Sequence, residues 1–387
     1  MRNGVSLIGK SFIRPKDFSV DEIKSLLWTA IDLRRAHETG NLSRDLLKHK
    51  RVVYLSSKQT VQSVALASGA HLTGASYNHM VVPSWDYKHN LEHLGKIMND
   101  NVDMFLCQCK RFKVLEEMIP KNRAAIPMVL VKCCKFSTPQ ALIDLMTIQM
   151  KSGKLAGLNI SWIGPTCSKI NSYLCIYSRL GMNIKYCCNV APDLPMSPIG
   201  LPNASTSTCQ VEEFRNFREG LKGTDVIVIK SYKYGDFQLH SEDVALANKD
   251  WILIQQFPIK REQIEDSMND RNMIWESVKN AKYIYAALMI RLLKNYTHNV
   301  EKPISKILLT PLIGFVNDDF QTGKAYVRAN FEYVRANFEY VRANFENVRV
   351  NIEYVRANFE YVRVNLEYVR ANFEYVRANL EYVRANL

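Results

Sequence analysis

The sequence predicts two α/β domains built on parallel sheets, followed by a helical C-terminal tail. Short apolar segments alternate with longer segments whose apolar residues have helical spacing. This is the pattern of parallel strands joined by helices. The 325 residues before the tail exceed the roughly 250–300 at which one hydrophobic core stops growing, so two domains are expected. From residue 326 onward the sequence repeats every seven residues, which separates the tail from the rest.

The first element is a helix that begins at a capping box. Ser19 can accept a hydrogen bond from a free backbone N–H, and Glu22 can reach back to the start of the helix. A later helix is predicted over Pro139–Lys151, because proline stands just inside its start and Gly153 just past its end. The last core helix is predicted around Lys279–Asn295, with apolar residues at helical spacing, and should pack back on the first domain.

Seven short apolar segments bounded by polar residues are predicted to be buried strands. They are Arg51–Leu55, Met104–Cys107, Met128–Val131, Leu158–Ile163, Ile184–Cys188, Val226–Ile229 and Trp251–Ile254. We place the first domain at residues 1–145, the second at 146–305, a linker at 306–325 and the tail at 326–387.

The tail repeats the unit Tyr-Val-Arg-Ala-Asn-Phe-Glu. Because seven is odd, a strand would turn each side chain to the opposite face in successive units. A helix instead places Phe331 and its equivalents at position a of a heptad, and Val334 and its equivalents at position d. This spacing predicts a helix that self-associates as a coiled coil. The alternative is a recently expanded tandem repeat without a selected role.

The net charge of +13 favours anionic partners in general. The tail holds nine arginines and eight glutamates, so 42 basic and 30 acidic residues remain before it. No basic motif with interleaved aromatic residues appears, so we expect no nucleic-acid partner, and no apolar segment is long enough to span a bilayer. Nine cysteines without a secretory signal predict reduced thiols in an intracellular compartment.

Motifs for metal or nucleotide binding are sparse. His89, Glu92 and His93 match the H-x-x-E-H pattern of some zinc peptidases, but no third ligand is evident, and an exposed polar helix face explains them adequately. Neither GxGxxG nor GxxxxGK[ST] occurs. We therefore expect no metal and no cofactor.

A set of ordered segments carries a resemblance to a known family. The segments are Phe18–Lys24, Ser68–Gly74, Gln140–Asp144, Leu158–Gly164, Leu180–Met182 and Asp250–Trp251. Through them the chain resembles ornithine carbamoyltransferase over roughly residues 8–303. The resemblance implies two α/β domains joined by long helices, a homotrimer with sites near the subunit interfaces, and transfer of a carbamoyl group from carbamoyl phosphate to ornithine. It also implies a mitochondrial matrix or cytoplasmic location.

The phosphate-binding positions implied by the resemblance depart from the family pattern. Where the family has Ser-Thr-Arg-Thr-Arg, this chain has Gln59, Thr60, Val61, Gln62 and Ser63, preceded by Lys58. A third family arginine falls on Gln108, and a fourth, in Glu-Asn-Arg, falls on Ala281. The family's His-Pro-x-Gln motif, which polarises the carbamoyl oxygen, falls on the segment that begins at Ser137; Gln140 is retained, and the histidine is not.

The ornithine-binding positions depart as well. The family's asparagine pair falls on Cys167 and Ser168, and the aspartate that holds the ornithine amines falls on Lys230. Tyr234 begins the segment in place of Ser-Met-Gly, and Gln256 replaces the cysteine of His-Cys-Leu-Pro-Arg. A lysine repels the cationic amino acid that the aspartate would attract.

These departures predict a catalytically inactive homologue with a retained fold. Thr60, Gln140, Asp144 and Asn280 would then serve in capping and packing. Two alternatives stay open. The first is an enzyme of altered, acidic substrate specificity that uses Lys230 and Lys58, and the second is an interaction protein that oligomerises through the tail.

Overall fold

The chain divides into a compact unit, Met1–Ile307, and a second unit, Leu308–Leu387, that contains the heptad repeat. The computed structural model describes residues 5–83, 101–118, 126–188, 209–230, 238–257 and 264–299. The predicted tail helix, the linker, and the motif of His89, Glu92 and His93 lie outside these residues. The coiled coil therefore stays a prediction.

The first sheet has four parallel strands in the order β2-β1-β3-β4. Alternate residues of its strands enter two apolar clusters, with Tyr54 and Leu106 in one and Leu55 and Cys107 in the other. Both faces are therefore buried, which is why these strands are almost continuously apolar. The elements are β1 (Arg51–Ser56), β2 (Ser76–Val81), β3 (Met104–Gln108) and β4 (Met128–Lys132), with helices α1 (Val20–Glu38), α2 (Gln62–Thr73) and α3 (Lys113–Met118).

The second sheet has five parallel strands in the order β7-β6-β5-β8-β9. One of its faces contributes Trp162 and Val228 to the same apolar cluster that contains residues of the first sheet, so one core extends across both. The strands are β5 (Asn159–Ile163), β6 (Asn183–Cys187), β7 (Val211–Glu213), β8 (Val226–Lys230) and β9 (Ile252–Gln256). The helices are α4 (Thr138–Ser152), α5 (Ser168–Tyr177), α6 (Phe217–Leu221), α7 (Ser241–Val244) and α8 (Ile274–Leu293).

The predicted fold class, two α/β domains with parallel sheets, is confirmed. All seven predicted strands are present, each with its bounds within two residues of the prediction. The capping box is present, since Ser19 Oγ accepts from the Glu22 N–H at 3.2 Å and the Ser19 N–H donates to Glu22 Oε2 at 2.7 Å. The predicted domain boundary at residue 145 falls inside α4 and stays a prediction.

Three features differ from the sequence prediction. Strand β2 was not predicted, because its residues Ser76–Val81 are only partly buried and lack an apolar run. Strand β7 is a three-residue edge strand with two exposed glutamates. Helix α8 begins at Ile274, five residues before the predicted start, because its first turns expose Trp275 and Val278 and so show no apolar face.

Helix α8 packs against α1, α2, α4 and β9. Its closest approach is to α2 at Gly69, where a Cβ atom would lie 2.8 Å from the Lys282 carbonyl oxygen and 3.1 Å from the Ala286 nitrogen. Both of these are backbone atoms that cannot turn aside. Glycine is therefore required at this crossing. None of the described helices is long and apolar enough to cross a membrane.

We expect Gly69→Ala to destabilise the protein by about 1–2 kcal/mol in urea denaturation. The added methyl group overpacks the α2–α8 contact at a cost of about 1–3 kcal/mol, and the better helix propensity of alanine offsets up to about 1 kcal/mol. Gly220→Ala is the matched control, because Gly220 also lies in a helix but its nearest neighbouring atom is 3.7 Å away. Equal stability changes in the two variants would contradict this account.

Candidate functional site

The candidate site lies where the strands end. In open parallel sheets ligands bind beyond the carboxyl ends of the strands. Here β3 ends at Gln108 and β8 at Lys230, which the resemblance assigns to substrate binding, and β9 ends at Gln256, which it assigns to a catalytic position. The structure thus places the predicted residues of both sheets at the strand edge where a site is expected.

None of the described residues at the positions that the resemblance assigns to phosphate binding is an arginine. Val61 precedes α2 and is 82% exposed, and Lys58 and Gln59 are also exposed. The first turn satisfies its own backbone, because the N–H of Ser63 donates to the Thr60 carbonyl at 3.1 Å and that of Val64 to the Val61 carbonyl at 3.2 Å. Fewer N–H groups are left for an anion than at an open helix start.

Tyr54 contacts two polar residues at the assigned phosphate positions, Thr60 and Gln108. Its hydroxyl donates to Gln108 Oε1 at 3.1 Å and lies 3.3 Å from Thr60 Oγ1. Burial raises the pKa of Tyr54 to about 12, so the group is a neutral phenol at physiological pH. Thr60 and Gln108 are therefore held by a neutral internal contact. Gln62, the first residue of α2, is partly buried.

Helix α4 begins at the segment that matches the family's His-Pro-x-Gln. Ser137 is buried, and its backbone N–H donates to Ser172 Oγ of α5 at 2.9 Å. Thr138 Oγ1 is buried and has no hydrogen-bond partner among the described residues. Gln140 Nε2 donates to Asp144 Oδ1 at 3.2 Å, one turn further along the helix. Gln140 and Asp144 therefore form a contact within the helix.

The family's last arginine position is part of the core. Ala281 is partly buried and packs against the main apolar cluster. Its neighbour Asn280 is 1% exposed; it donates to Thr147 Oγ1 at 2.9 Å and accepts from Arg34 Nη1 at 2.6 Å. Asn280 and Asp144 thus have hydrogen-bond partners within the protein, and their packing role stays a prediction.

Asp144 is the centre of a buried polar network between α4, α5 and β9. Its Oδ2 accepts hydrogen bonds from the Tyr173 hydroxyl and, at 2.9 Å, from Gln256 Nε2. Burial raises the pKa of Asp144, although both hydrogen bonds act in the opposite direction. Gln256, the position of the family's cysteine, thus acts as an amide bridge.

Lys169 is the residue that sequence reasoning missed. It lies in the first turn of α5, is only 9% exposed, and its Nζ donates to Gln256 Oε1 at 2.5 Å. Burial lowers its pKa to about 8; the nearby positive charge of Lys230 acts in the same direction, and Asp144 opposes it. The one available signal was a charged residue directly after Cys167 and Ser168.

Lys230 lies beside Lys169 at the end of β8. Its Nζ donates to the backbone carbonyl of Phe257, and burial lowers its pKa, with Lys132 acting in the same direction. A Cβ atom at Gly164 would lie 2.6 Å from the Lys230 Cβ and 2.8 Å from its carbonyl oxygen. The glycine after β5, at φ +153°, therefore lets the ends of β5 and β8 approach each other.

The asparagine-pair positions have become structural. Cys167 precedes α5 without a side-chain capping bond, and the carbonyl of buried Ser168 accepts from Ser172 Oγ at 3.0 Å. Tyr234 lies outside the described residues. All nine cysteines are free thiols. Within the described ranges, no group of three His, Cys, Asp or Glu side chains could hold a metal ion.

The amino-acid sequence of this chain is similar to those of known carbamoyltransferases. No family model matches the chain. The chain is 21% identical over 320 residues to mitochondrial ornithine transcarbamylase of Gallus gallus, covering 77% of this chain and 90% of that protein. It is 23% identical over 308 residues to ornithine carbamoyltransferase of Ignicoccus hospitalis, covering 73% and 98%.

Solved structures agree with these sequence matches. Ornithine carbamoyltransferase of Pyrococcus furiosus superposes with a TM-score of 0.67 at 18% identity, covering 75% of this chain and 98% of that one. Aspartate transcarbamoylase of Trypanosoma cruzi gives 0.64 at 18% identity, covering 74% and 96%. The fold is therefore that of the carbamoyltransferases. In sequence, the chain is similar to ornithine carbamoyltransferases at 21–23% identity over about three quarters of its length.

We expect the stability difference between the wild type and Lys169→Met to depend on pH. The folded-state pKa of about 8 lies below the ordinary 10.5, so between these values the unfolded chain binds more protons. The burial penalty of Lys169 is full below pH 8 and is relieved as the pH rises. Urea denaturation at about pH 7.5 and pH 9.5 should show a shift of roughly 1–2 kcal/mol in favour of the wild type.

Lys185→Met provides the control for this measurement. Lys185 lies on β6 and, like Lys169, donates to an uncharged acceptor, here the backbone carbonyl of Lys222 at 2.6 Å, but in an exposed setting. Its difference from the wild type should be the same at both pH values. A Lys169→Met difference that does not change with pH would show that the buried amine stays fully protonated.

Proposed function

We propose that this protein is a carbamoyltransferase homologue that does not transfer a carbamoyl group to ornithine. The single observation that carries the proposal is the pair of lysines at the carboxyl end of the second sheet: Lys230 ends β8 at the position where the resemblance places the family's aspartate, and Lys169 lies in the first turn of α5. Ornithine must approach through an amine that acts as nucleophile. Two cations at that position repel the protonated amino acid.

The phosphate end supports the same conclusion. Carbamoyl transfer places negative charge on the leaving phosphate, and preorganised cations are needed to stabilise it. Val61, Gln108 and Ala281 are neutral, and the structure gives each a different use: solvent exposure, a hydrogen bond to Tyr54, and core packing. Lys58 is exposed and offers a point charge where arginine offers a bidentate fork.

The free energies of the missing interactions favour an inactive protein over a slow enzyme. A hydrogen bond to a charged group contributes about 1.5–3 kcal/mol, and each 1.36 kcal/mol of transition-state stabilisation corresponds to a factor of ten in rate. The chain lacks several such bonds at the phosphate and carries opposing charge at the amine. Even with strong non-additivity, these losses remove nearly all of the family's rate enhancement.

We expect the purified protein to form no citrulline from carbamoyl phosphate and ornithine above the uncatalysed background. A colorimetric citrulline assay, run beside an active ornithine carbamoyltransferase, measures this directly. The double variant Val61→Arg/Ser63→Arg should also stay inactive, because the lysines still oppose the amine. Citrulline formation by the wild type that is abolished in Gln140→Ala would overturn the proposal.

The assembly and location follow from resemblance alone. We propose a homotrimer formed by residues 1–307, with the heptad tail adding a separate self-association. The matched relatives of Gallus gallus and Aquarana catesbeiana are described as mitochondrial, and that of Ignicoccus hospitalis is not. A mitochondrial matrix or cytoplasmic location is proposed on the same basis.

Analytical ultracentrifugation tests the assembly. We expect the chain truncated after residue 307 to sediment as a trimer, because the proposed trimer contacts lie in the α/β unit. The full chain should form larger species as its concentration rises, since the Phe and Val seam of the tail is then available. A monomeric truncated chain beside an oligomeric full chain would instead favour an interaction protein assembled by its tail.

A further inference from the structure

We propose that Cys109, Cys133 and Cys134 form a thiol–disulfide exchange site that reacts with a small organic disulfide such as glutathione disulfide. In this reaction Cys134 meets the oxidant first, and the oxidised product is a disulfide between Cys109 and Cys133. All three cysteines are free thiols in the structure. Cys109 directly follows the end of β3, and Cys133 and Cys134 directly follow the end of β4.

The backbone places Cys109 beside Cys133. In a parallel pair, the N–H of one residue bonds to the carbonyl of the residue that precedes its neighbour. Phe105 shows this pattern, since it is paired with Met128 and donates to the residue before it at 3.0 Å. The Cys109 N–H donates in the same way to the Lys132 carbonyl at 3.1 Å, so its neighbour is Cys133. Neighbouring strands lie about 4.8 Å apart, within the roughly 4.4–6.8 Å between Cα atoms that a disulfide spans.

Both side chains are buried on the same face of the first sheet. Cys109 is 6% exposed and Cys133 is 4% exposed, and both belong to the apolar cluster that contains Leu55. The side chain of Gln108, by contrast, contacts Tyr54, which belongs to the other cluster. The two thiols therefore lie on one side of the sheet, and the contact between Tyr54 and Gln108 lies on the other.

Cys134 connects this buried pair to solvent. It is exposed, and its thiol lies within hydrogen-bond reach of the Cys133 thiol. Burial raises the pKa of Cys133 to about 11, so that thiol is protonated at physiological pH. Because the thiolate is the attacking species, an exposed thiol reacts with a dissolved disulfide before a buried and protonated one does. Cys134 is therefore the entry point for the oxidant.

The small disulfide is the oxidant, and the exchange needs no other reagent. The Cys134 thiolate attacks one sulfur of glutathione disulfide, forms a mixed disulfide and releases one glutathione. Cys133 then attacks the Cys134 sulfur and releases the second glutathione, and Cys109 attacks Cys133 and returns Cys134 to the thiol. The proton that each attacking thiol loses is taken up by the thiolate that leaves. Two protein thiols are thus oxidised, and one glutathione disulfide is reduced to two molecules of glutathione.

The disulfide affects the turn that precedes α4. Cys133 Sγ accepts hydrogen bonds from the backbone N–H groups of Lys135 at 3.3 Å and Phe136 at 3.2 Å. The Cys133 N–H also donates to the Phe136 carbonyl at 2.8 Å. A bond to Cys109 turns this sulfur toward β3 and competes with its two contacts to the turn. Since the turn leads directly into Ser137 and α4, oxidation couples the state of the thiols to the start of that helix.

Oxidation of the folded full chain with glutathione disulfide at mildly alkaline pH tests the site. After the remaining thiols are alkylated, trypsin cleaves behind Lys110 and Lys132, and mass spectrometry detects any disulfide between the two segments. We expect this cross-linked peptide in the wild type and its loss on reduction with dithiothreitol. Cys109→Ala should abolish it. Cys134→Ser should slow its formation by about tenfold or more, because the remaining thiols are buried.

Cys175→Ser is the matched control and should form the cross-link at the wild-type rate, because Cys175 is a partly exposed thiol on α5, beside the second sheet. If Cys109→Ala fails to fold, as judged by circular dichroism, fragmentation of the wild-type peptide assigns the disulfide to Cys109 or to Cys107 directly. The site is wrong if the wild type forms no cross-linked peptide, if the disulfide involves Cys107, or if Cys134→Ser forms it as fast as the wild type does.

Discussion

Helix α8 determines how the two sheets are held together, because it packs on α1 and α2 of the first and on β9 of the second. Residues from Tyr283 to Leu292 are almost entirely buried, and Gly69 lets α2 approach within backbone contact. The chain after α8 is fixed to α1 as well. His298 stacks on Trp28 with ring centroids 3.5 Å apart, and the Tyr296 hydroxyl donates to Asp32 at 2.9 Å. The contacts made by Gly69, Tyr296 and His298 involve none of the strand-end residues of the candidate site.

This separation explains how the fold can persist while the site changes. The core that joins the sheets is apolar, whereas Gln108, Lys230 and Gln256 lie at strand ends. Ala281, where the resemblance places a family arginine, lies within α8 and adds a small side chain to the core. Asn280 and Asp144 keep hydrogen-bond partners within the described structure, so they contribute to packing even without a substrate.

Much of the fold could be predicted from the sequence, because buried parallel strands and a capped helix leave local signals. Strands such as Met128–Lys132 are apolar on both faces, and the Ser19 capping box needs only residues three apart. Strand β2 left no such signal, because it is partly exposed. The start of α8 was missed because Trp275, in its first turn, is exposed and does not continue the buried apolar face of the helix. These elements are fixed by tertiary contacts that no local window contains.

The candidate site could be located from the sequence, but its internal contacts could not. The resemblance identified Gln256 and Lys230 as altered positions, whereas Lys169 became evident only from its contact with Gln256, 87 residues away. A lysine in the first turn of a helix is usually solvated, and its sequence neighbours do not reveal that β9 covers it. The role of Tyr54 as the partner of Gln108, 54 residues away, was hidden for the same reason.

The distribution of charge in the cleft bears on what such a site can still do. Positions that only lose a function should take side chains that cost little free energy of folding. The exposed Val61 and the core residue Ala281 fit that expectation. Buried amines are different, because taking an ion out of water costs several kcal/mol unless it is paired. Lys169 is nine-tenths buried and has a neutral partner, so in the unliganded protein it reduces stability. The burial that lowers the pKa of Lys169 to about 8 is the same burial that carries this cost.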